Sequence, residues 1–430
     1  MTIIEEQRMS RNGINFHFVE SKKFKTIHFA VKLKAPLKRE TITKRALLPY
    51  ILKQGTENYP SRKELQRRLD ELYGASFSIN GGKKGENHII TFRLDIANEK
   101  FIPDGSSIVQ EGVNLLREIV FEPNTDGEAF ENKAFQREKE TLKQKISSVK
   151  DDKMQYANMR LIDEMCKDEP YQLHVHGYME DLQTLTPENL YVHYRGMLAQ
   201  DQMDIYVTGD FNPQEMLNEM EKAFSHKEKT ESRPPASDKK DKDIQEPKEV
   251  VEEEQVNQAK LHIGYRTNTT FGDKEYPALQ VFNGLFGGFP SSKLFINVRE
   301  KNSLAYYAAS RLESHKGLML VFSGIAPGDY EKARDIIRLQ LEAMRKGDFT
   351  EEQLSETKDL IMNQLLETMD HPQGMIELLY QQEAASVERS PQQLMDAIQK
   401  VTKEQVIEVA GKVQEDTVYL LTSKGGSLDE

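Results

Sequence analysis

The stretch GLFGGFPSSKLFINVREKNSLAYY, from Gly284 to Tyr307, places a pair of glycines, a proline, a short amphipathic helix and the start of a strand in one run. Gly287 and Gly288 are expected where the backbone needs positive φ or a close approach, because neither carries a Cβ. Ser291 or Ser292 is placed to cap the helix that follows through its hydroxyl. Leu294, Phe295 and Val298 fall at i, i+1 and i+4 on one buried face, which predicts a helix ending near Arg299-Glu300-Lys301. Arg299 is thereby pinned at a helix end and Tyr306 set on the next strand.

Outside this stretch, length and composition set bounds. A chain of 430 residues exceeds one ordinary core, so two domains are expected. Acidic residues outnumber basic ones by 70 to 58, a net charge of -12, which argues against nucleic acid or an anionic membrane as the main partner. No apolar run approaches the ~18 residues of a membrane span, and MTIIEEQRMS lacks the basic and apolar regions of a signal peptide. Cys166 stands alone, so no internal disulfide forms and a reducing, cytoplasmic location is expected.

Alternating residues predict strands over Ile14 to Val19, Thr26 to Leu33, Ala75 to Asn80 and His88 to Ile96, with Gly81 to Gly85 as a hairpin connection. His17 and His28 lie inside such strands as polar-face residues. Helices are expected over Thr41 to Lys53, Ser61 to Leu72, Ser107 to Val120, Gly127 to about Cys166 and Thr186 to Met197. Leu173 to His176 is read as a strand that would point His174 and His176 the same way. Met203 to Gly209 is a further strand. Between His226 and Gln255 the composition turns to Lys, Glu, Asp, Pro and Ser, the mark of a linker. Beyond it the pattern repeats, with strands at Ala259 to Tyr265, Gly317 to Ile325 and Thr417 to Thr422 among long charged helices. The reading is an α+β protein of two homologous domains in tandem, residues 1–225 and 256–430, each a mixed, mostly antiparallel sheet packed against helices.

The run Leu279-Gln280-Val281-Phe282-Asn283, then Gly287-Gly288, Ser291-Ser292-Lys293-Leu294-Phe295 and Arg299-Glu300-Lys301-x-x-Leu304-Ala305-Tyr306, resembles the C-terminal half of the pitrilysin or insulinase-like zinc peptidases. Further echoes keep the family's order: Lys53-Gln54-Gly55-Thr56, Phe135-x-x-Glu138-Lys139, Leu185-Thr186, Val207-x-Gly209-Asp210-Phe211-x-Pro213 and Phe349-Thr350-x-Glu352-x-Leu354-x-x-Thr357-Lys358. The resemblance implies two such domains arranged as a clam shell. It also implies a zinc motif H-x-x-E-H on the first helix and a third ligand from a downstream Glu. Counted back from Gly55-Thr56, the motif positions hold Ala46, Pro49 and Tyr50, and the downstream ligand position falls on Lys145. None of the four suits a catalytic zinc, and Pro49 is expected to disrupt the helix.

The Arg299 and Tyr306 pair is intact, and the resemblance implies that it clamps substrate backbone and polarises the scissile carbonyl. Some peptidases of this family divide zinc motif and Arg/Tyr pair between two chains, and this sequence resembles the second kind. The resemblance therefore implies a non-catalytic subunit binding peptide substrate beside a zinc-bearing homologous partner, with no metal or other cofactor on this chain. A homodimer is the other partnership to consider. The alternatives are a structural or assembly protein derived from the peptidase fold, and a peptidase using His174 and His176 as unconventional ligands.

Overall fold

The computed structural model describes residues 5–103, 107–224 and 244–423. They form two compact units. The first draws on residues 5–148, 173–224 and 371–377, the second on 149–172, 244–370 and 378–423.

The first unit is built on strands β1 (Glu6–Arg11), β2 (Ile14–Glu20), β3 (Thr26–Pro36), β4 (Ser76–Lys84), β5 (Asn87–Ala97) and β6 (Gln202–Gly209). Their order is β1-β2-β6-β3-β5-β4, with β2 and β6 parallel and the other neighbours antiparallel. Phe29, Val31 and Leu33 of β3 and Ile90, Phe92 and Leu94 of β5 point to one face. There they pack with Leu47 and Leu48 of the helix Ile42–Leu52, Leu116 of Ile108–Phe121 and Leu190 of Pro187–Gln200. Residues alternating with them face the other way, as a period of two demands, and apart from Ala30 they are polar: His28, Lys32, Lys34, Thr91, Arg93 and Asp95. The two strand histidines are held by carboxylates on this face, His28 Nδ1 at 2.8 Å from Asp95 and His17 Nδ1 at 2.8 Å from Glu6.

The second unit has β7 (Lys248–Glu253), β8 (Ala259–Arg266), β9 (Ala305–Glu313), β10 (Leu318–Ile325) and β11 (Gln414–Thr422), ordered β7-β11-β8-β10-β9. This order repeats β2-β6-β3-β5-β4, down to one parallel pair, β7 with β11. On one face Ile263, Tyr265 and Val321 meet Phe282 and Ile337 of the helices Tyr276–Asn283 and Tyr330–Arg345. On the other, Leu161 and Met165 of the helix Lys153–Met165 pack on Leu318, Leu320, Tyr419 and Leu421. That helix sits so close that a Cβ on Gly264 would lie 2.4 Å from Met165 Sδ.

His262 lies on this second face, fully buried and edge-on to the Phe322 ring at 5.1 Å. Burial, and then the Lys260 ammonium, push its pKa down to about 3. The folded protein thus keeps the imidazole neutral while the unfolded chain protonates it near its ordinary value. That stability is present above about pH 6.5 and is lost as pH falls from there toward 3. A His262→Phe variant is expected to lose about one proton's worth of this slope, up to about 1.4 kcal/mol per pH unit. Urea unfolding midpoints of both proteins between about pH 7 and pH 4 measure it.

Several expectations are corrected. The helix expected over Gly127 to Cys166 is two helices, Asn132–Ser147 and Lys153–Met165. The Asp152 carboxylate accepts from the Met154 and Gln155 amides and starts the second afresh. Leu173 to His176 is a turn, closed by the Gly177 amide donating to the His174 carbonyl, with Gly177 at φ 73. A Cβ there would lie 2.5 Å from Thr43 Oγ1, so the turn's close approach to Thr43 needs glycine. β4 runs through Gly81 and Gly82, and the hairpin turns later, at Gly85 and Glu86. Of the stretch read as a linker, residues 226–243 lie outside the described residues, and Lys248–Glu253 is strand β7.

Candidate functional site

In the second unit the Gly284 to Tyr307 stretch is entered from the helix Tyr276–Asn283, which has Pro277 in its first turn and gives way at Gly284–Gly288 to a wider π-helical turn. Of the two uses expected for Gly287 and Gly288, neither takes positive φ and both serve close approach. A Cβ on Gly287 would stand 2.5 Å from Ser310 Oγ and 2.8 Å from the Ser310 amide nitrogen. Because backbone cannot give way as a flexible side chain can, Gly287→Ala is expected to cost about 1–3 kcal/mol, read as a lowered urea midpoint.

The Phe295 amide then donates to Ser292 Oγ at 3.5 Å, and a second π-helical turn spans Phe295–Glu300. Such turns widen the helix by one residue and recur at functional sites. Leu294 and Val298 are buried, whereas Phe295 is half-buried and carries the Arg299 guanidinium 4.6 Å above its ring centroid. Arg299 also lies 3.5 Å from Glu300 and remains substantially exposed. The chain reverses at Ser303, at φ 51, with the Ser303 amide on the Arg299 carbonyl at 3.0 Å and the Leu304 amide on the Val298 carbonyl at 3.1 Å.

Tyr306 comes next, on β9, an edge strand. Tyr307 opposes Gly324 and Ala305 opposes Ile325, so Tyr306 is the extra residue of a β-bulge. A bulge re-aims the side chain it carries, and Tyr306 is 76% exposed. Tyr307 turns the other way, beneath the Lys260 ammonium at 5.6 Å, and burial pushes its phenol up to about 12. The local fold thus presents a guanidinium and a phenol, both hydrogen-bond donors, at either end of one tight turn.

The four positions where the resemblance implies metal ligands lie in the first unit. Ala46, Pro49 and Tyr50 sit on the helix Ile42–Leu52, and Lys145 on Asn132–Ser147, which packs against it. The helix continues through Pro49, contrary to expectation, and ends soon after at Leu52. Only the amide that would have met the Arg45 carbonyl is missing, and Pro49 is buried in the core. These groups do not fit a zinc ion. A methyl and a pyrrolidine ring offer no lone pair, the Tyr50 phenol is pushed up by burial and then by Glu138, and Lys145 brings a cation. His176 is half-buried, its pKa lowered by burial, then by Lys145 and His174. Among the described residues, no three His, Cys, Asp or Glu side chains are grouped to hold a metal.

Beside Ala46 lies a cluster that sequence reasoning did not find. Arg45 is 2% exposed; its guanidinium donates to Asp201 at 2.7 Å, to His88 Nδ1 at 3.0 Å and to the Leu33 and His88 carbonyls. Burial and then Arg45 hold His88 well below its ordinary pKa and lower His193 to about 4, so both imidazoles stay neutral beside the guanidinium. A fixed cation occupies the neighbourhood of the motif helix. No local signal betrays it, because arginine on a helix is ordinarily a surface residue.

Residues 184–361 match the family model described as the peptidase M16 inactive domain. The chain is 48% identical to the probable inactive metalloprotease YmfF of Bacillus subtilis (strain 168) over 427 residues, 99% of this chain and 100% of that protein. The crystal structure of a conserved protein from Enterococcus faecalis V583 superposes with a TM-score of 0.87 at 34% identity, covering 97% of this chain and 99% of that one. A protease from Helicobacter pylori shares the fold, with a TM-score of 0.82 at 18% identity over 97% of this chain and 100% of that one.

Proposed function

The chain belongs to the M16 family of pitrilysin or insulinase-like zinc metallopeptidases, and from that premise we propose that it is the non-catalytic subunit of a heterodimeric zinc metalloendopeptidase. The observation that carries this reading is an asymmetry. Arg299 and Tyr306 are exposed and held on irregular backbone, a π-helical turn and a β-bulge, while Ala46, Pro49, Tyr50 and Lys145, at the positions where the resemblance implies metal ligands, offer no zinc donor set.

Holding a peptide requires donors directed at carbonyl oxygens, and a guanidinium and a phenol supply them without any metal on this chain. As negative charge develops on a scissile carbonyl at the partner's zinc, such donors strengthen their hold in a water-poor site. Arg299 and Tyr306 therefore bind and orient; the partner cuts. The chain works in the cytoplasm, where its lone buried Cys166 stays reduced. Among the described residues, no helix is long and apolar enough to cross a membrane.

The test is to co-express the chain with a homologue that carries an intact H-x-x-E-H and to assay a quenched-fluorescence oligopeptide. The expected result is a stable complex whose cleavage activity neither chain shows alone. A stable complex with no gain in activity would transfer the chain to the structural or assembly class. Stoichiometric zinc on the isolated chain would overturn the division of labour.

A further inference from the structure

On the polar face of the six-stranded sheet the strands' own acids are engaged elsewhere, Glu6 by His17, Asp95 by His28 and Asp204 by Asn15 and Gln202, and three of its cations meet a carboxylate from outside the strands. Lys32 is 1% exposed, and its ammonium reaches Glu377 at 2.6 Å. Arg93 of β5 donates to the same carboxylate oxygen at 2.8 Å, and Lys84 of β4 approaches the other oxygen at 3.7 Å. Three cations from three adjacent strands thus converge on one carboxylate, itself supplied by the segment 371–377. Burial pushes the Glu377 carboxyl up, but the three cations outweigh it and hold the group ionised.

Lys34 is the neighbour of Lys32 on this face, two residues along β3 and so about 7 Å away. It is 7% exposed and, among the described residues, makes no hydrogen bond or ion pair. Its ammonium nitrogen is not sealed from solvent, as are the buried polar atoms that lack a partner. The second sheet treats a comparably buried cation differently: Arg266 of β8 is met by Asp416 at 2.7 Å, Glu169 at 2.8 Å and the Met165 carbonyl at 2.7 Å. Lysine is seldom buried without a partner, because nothing then offsets its desolvation. Glu377 marks what this surface accepts, and Lys34 marks where acceptance is unfilled.

We infer that Lys34, with Lys32, Lys84 and Arg93 beside it, forms a subsite for a second carboxylate, provided by an extended peptide. This rests on the peptide-binding reading above and adds a substrate class to it: peptides with an acidic side chain or a free C-terminus seated on the first sheet. An ammonium bonds a carboxylate more strongly than a neutral amide, and the surrounding low dielectric and neighbouring cations favour the charged ligand.

The test uses the full-length protein and fluorescence anisotropy with labelled, unstructured peptides. One carries glutamate, its twin glutamine, and each is made with a free and an amidated C-terminus. The carboxylate-bearing peptides are expected to bind about ten-fold tighter than the fully neutral one, and the advantage shrinks between about 50 and about 500 mM salt. Whether the gain tracks the side chain or the terminus identifies the source of the carboxylate. Lys34→Gln, which leaves no partner orphaned and so keeps the wild-type melting temperature, should erase the preference without weakening the neutral peptide. Equal affinity for all peptides, or a preference that survives in Lys34→Gln, overturns the subsite while leaving peptide binding intact. Failure of every peptide to bind overturns the peptide-binding reading and the subsite with it.

Discussion

Replacing Arg299 with alanine is expected to lower kcat/KM of the proposed two-chain peptidase by about 10- to 150-fold, equivalent to about 1.5–3 kcal/mol of charged hydrogen bonding. The substitution should leave the fold alone. Arg299 makes an exposed ion pair with Glu300 and covers half-buried Phe295, contacts of small consequence for stability. Loss of activity without loss of stability or of complex formation would therefore report on substrate. Arg299→Lys keeps the charge but not the planar fork, so it should recover only part of the loss. Steady-state cleavage of an oligopeptide by complexes assembled from each variant decides the matter, and wild-type activity in Arg299→Ala would end the clamp hypothesis.

The second large effect is on stability. Arg45→Ala is expected to destabilise the protein by about 3–5 kcal/mol, because it takes the guanidinium from the buried Asp201 carboxylate and removes the donor to His88. Replacing both partners, as in Arg45→Met with Asp201→Leu, should recover much of the loss, since the desolvation of both charges is then avoided. Equilibrium urea unfolding of the two single variants and the double variant gives the coupling directly. If Arg45→Ala alone were neutral, the guanidinium beside the motif helix would carry no structural weight.

How much of this was legible in the sequence depends on the reach of the interactions involved. Alternation along Thr26–Pro36 and Ala259–Arg266 and helical spacing along Ile108–Phe121 are local, so the two α+β units and their repetition could be read directly. The Arg299 and Tyr306 block was legible for a different reason, namely its density of residues with narrow backbone uses. The bulge that turns Tyr306 outward was not, since it exists only in the register with Gly324 and Ile325. Asp152 starts a second helix where periodicity alone would have continued the first, because a side-chain cap competes locally with the ladder. β7 hid in a charged stretch, Lys248–Glu253, whose strand character comes from its parallel pairing with β11. The salt bridge from Lys32 to Glu377 joins residues 345 positions apart, beyond any window of sequence pattern.

The same pairing has a consequence for the order in which the protein is made. β3 is made with Lys32 already destined for the sheet, yet the Glu377 carboxylate that it meets follows 345 positions later, in residues 371–377. Until that segment follows, the first unit lacks the carboxylate on which Lys32, Arg93 and Lys84 converge. Its final locking step therefore waits for residues 371–377, so chains truncated before Glu377 should be the ones that chaperones and proteases capture.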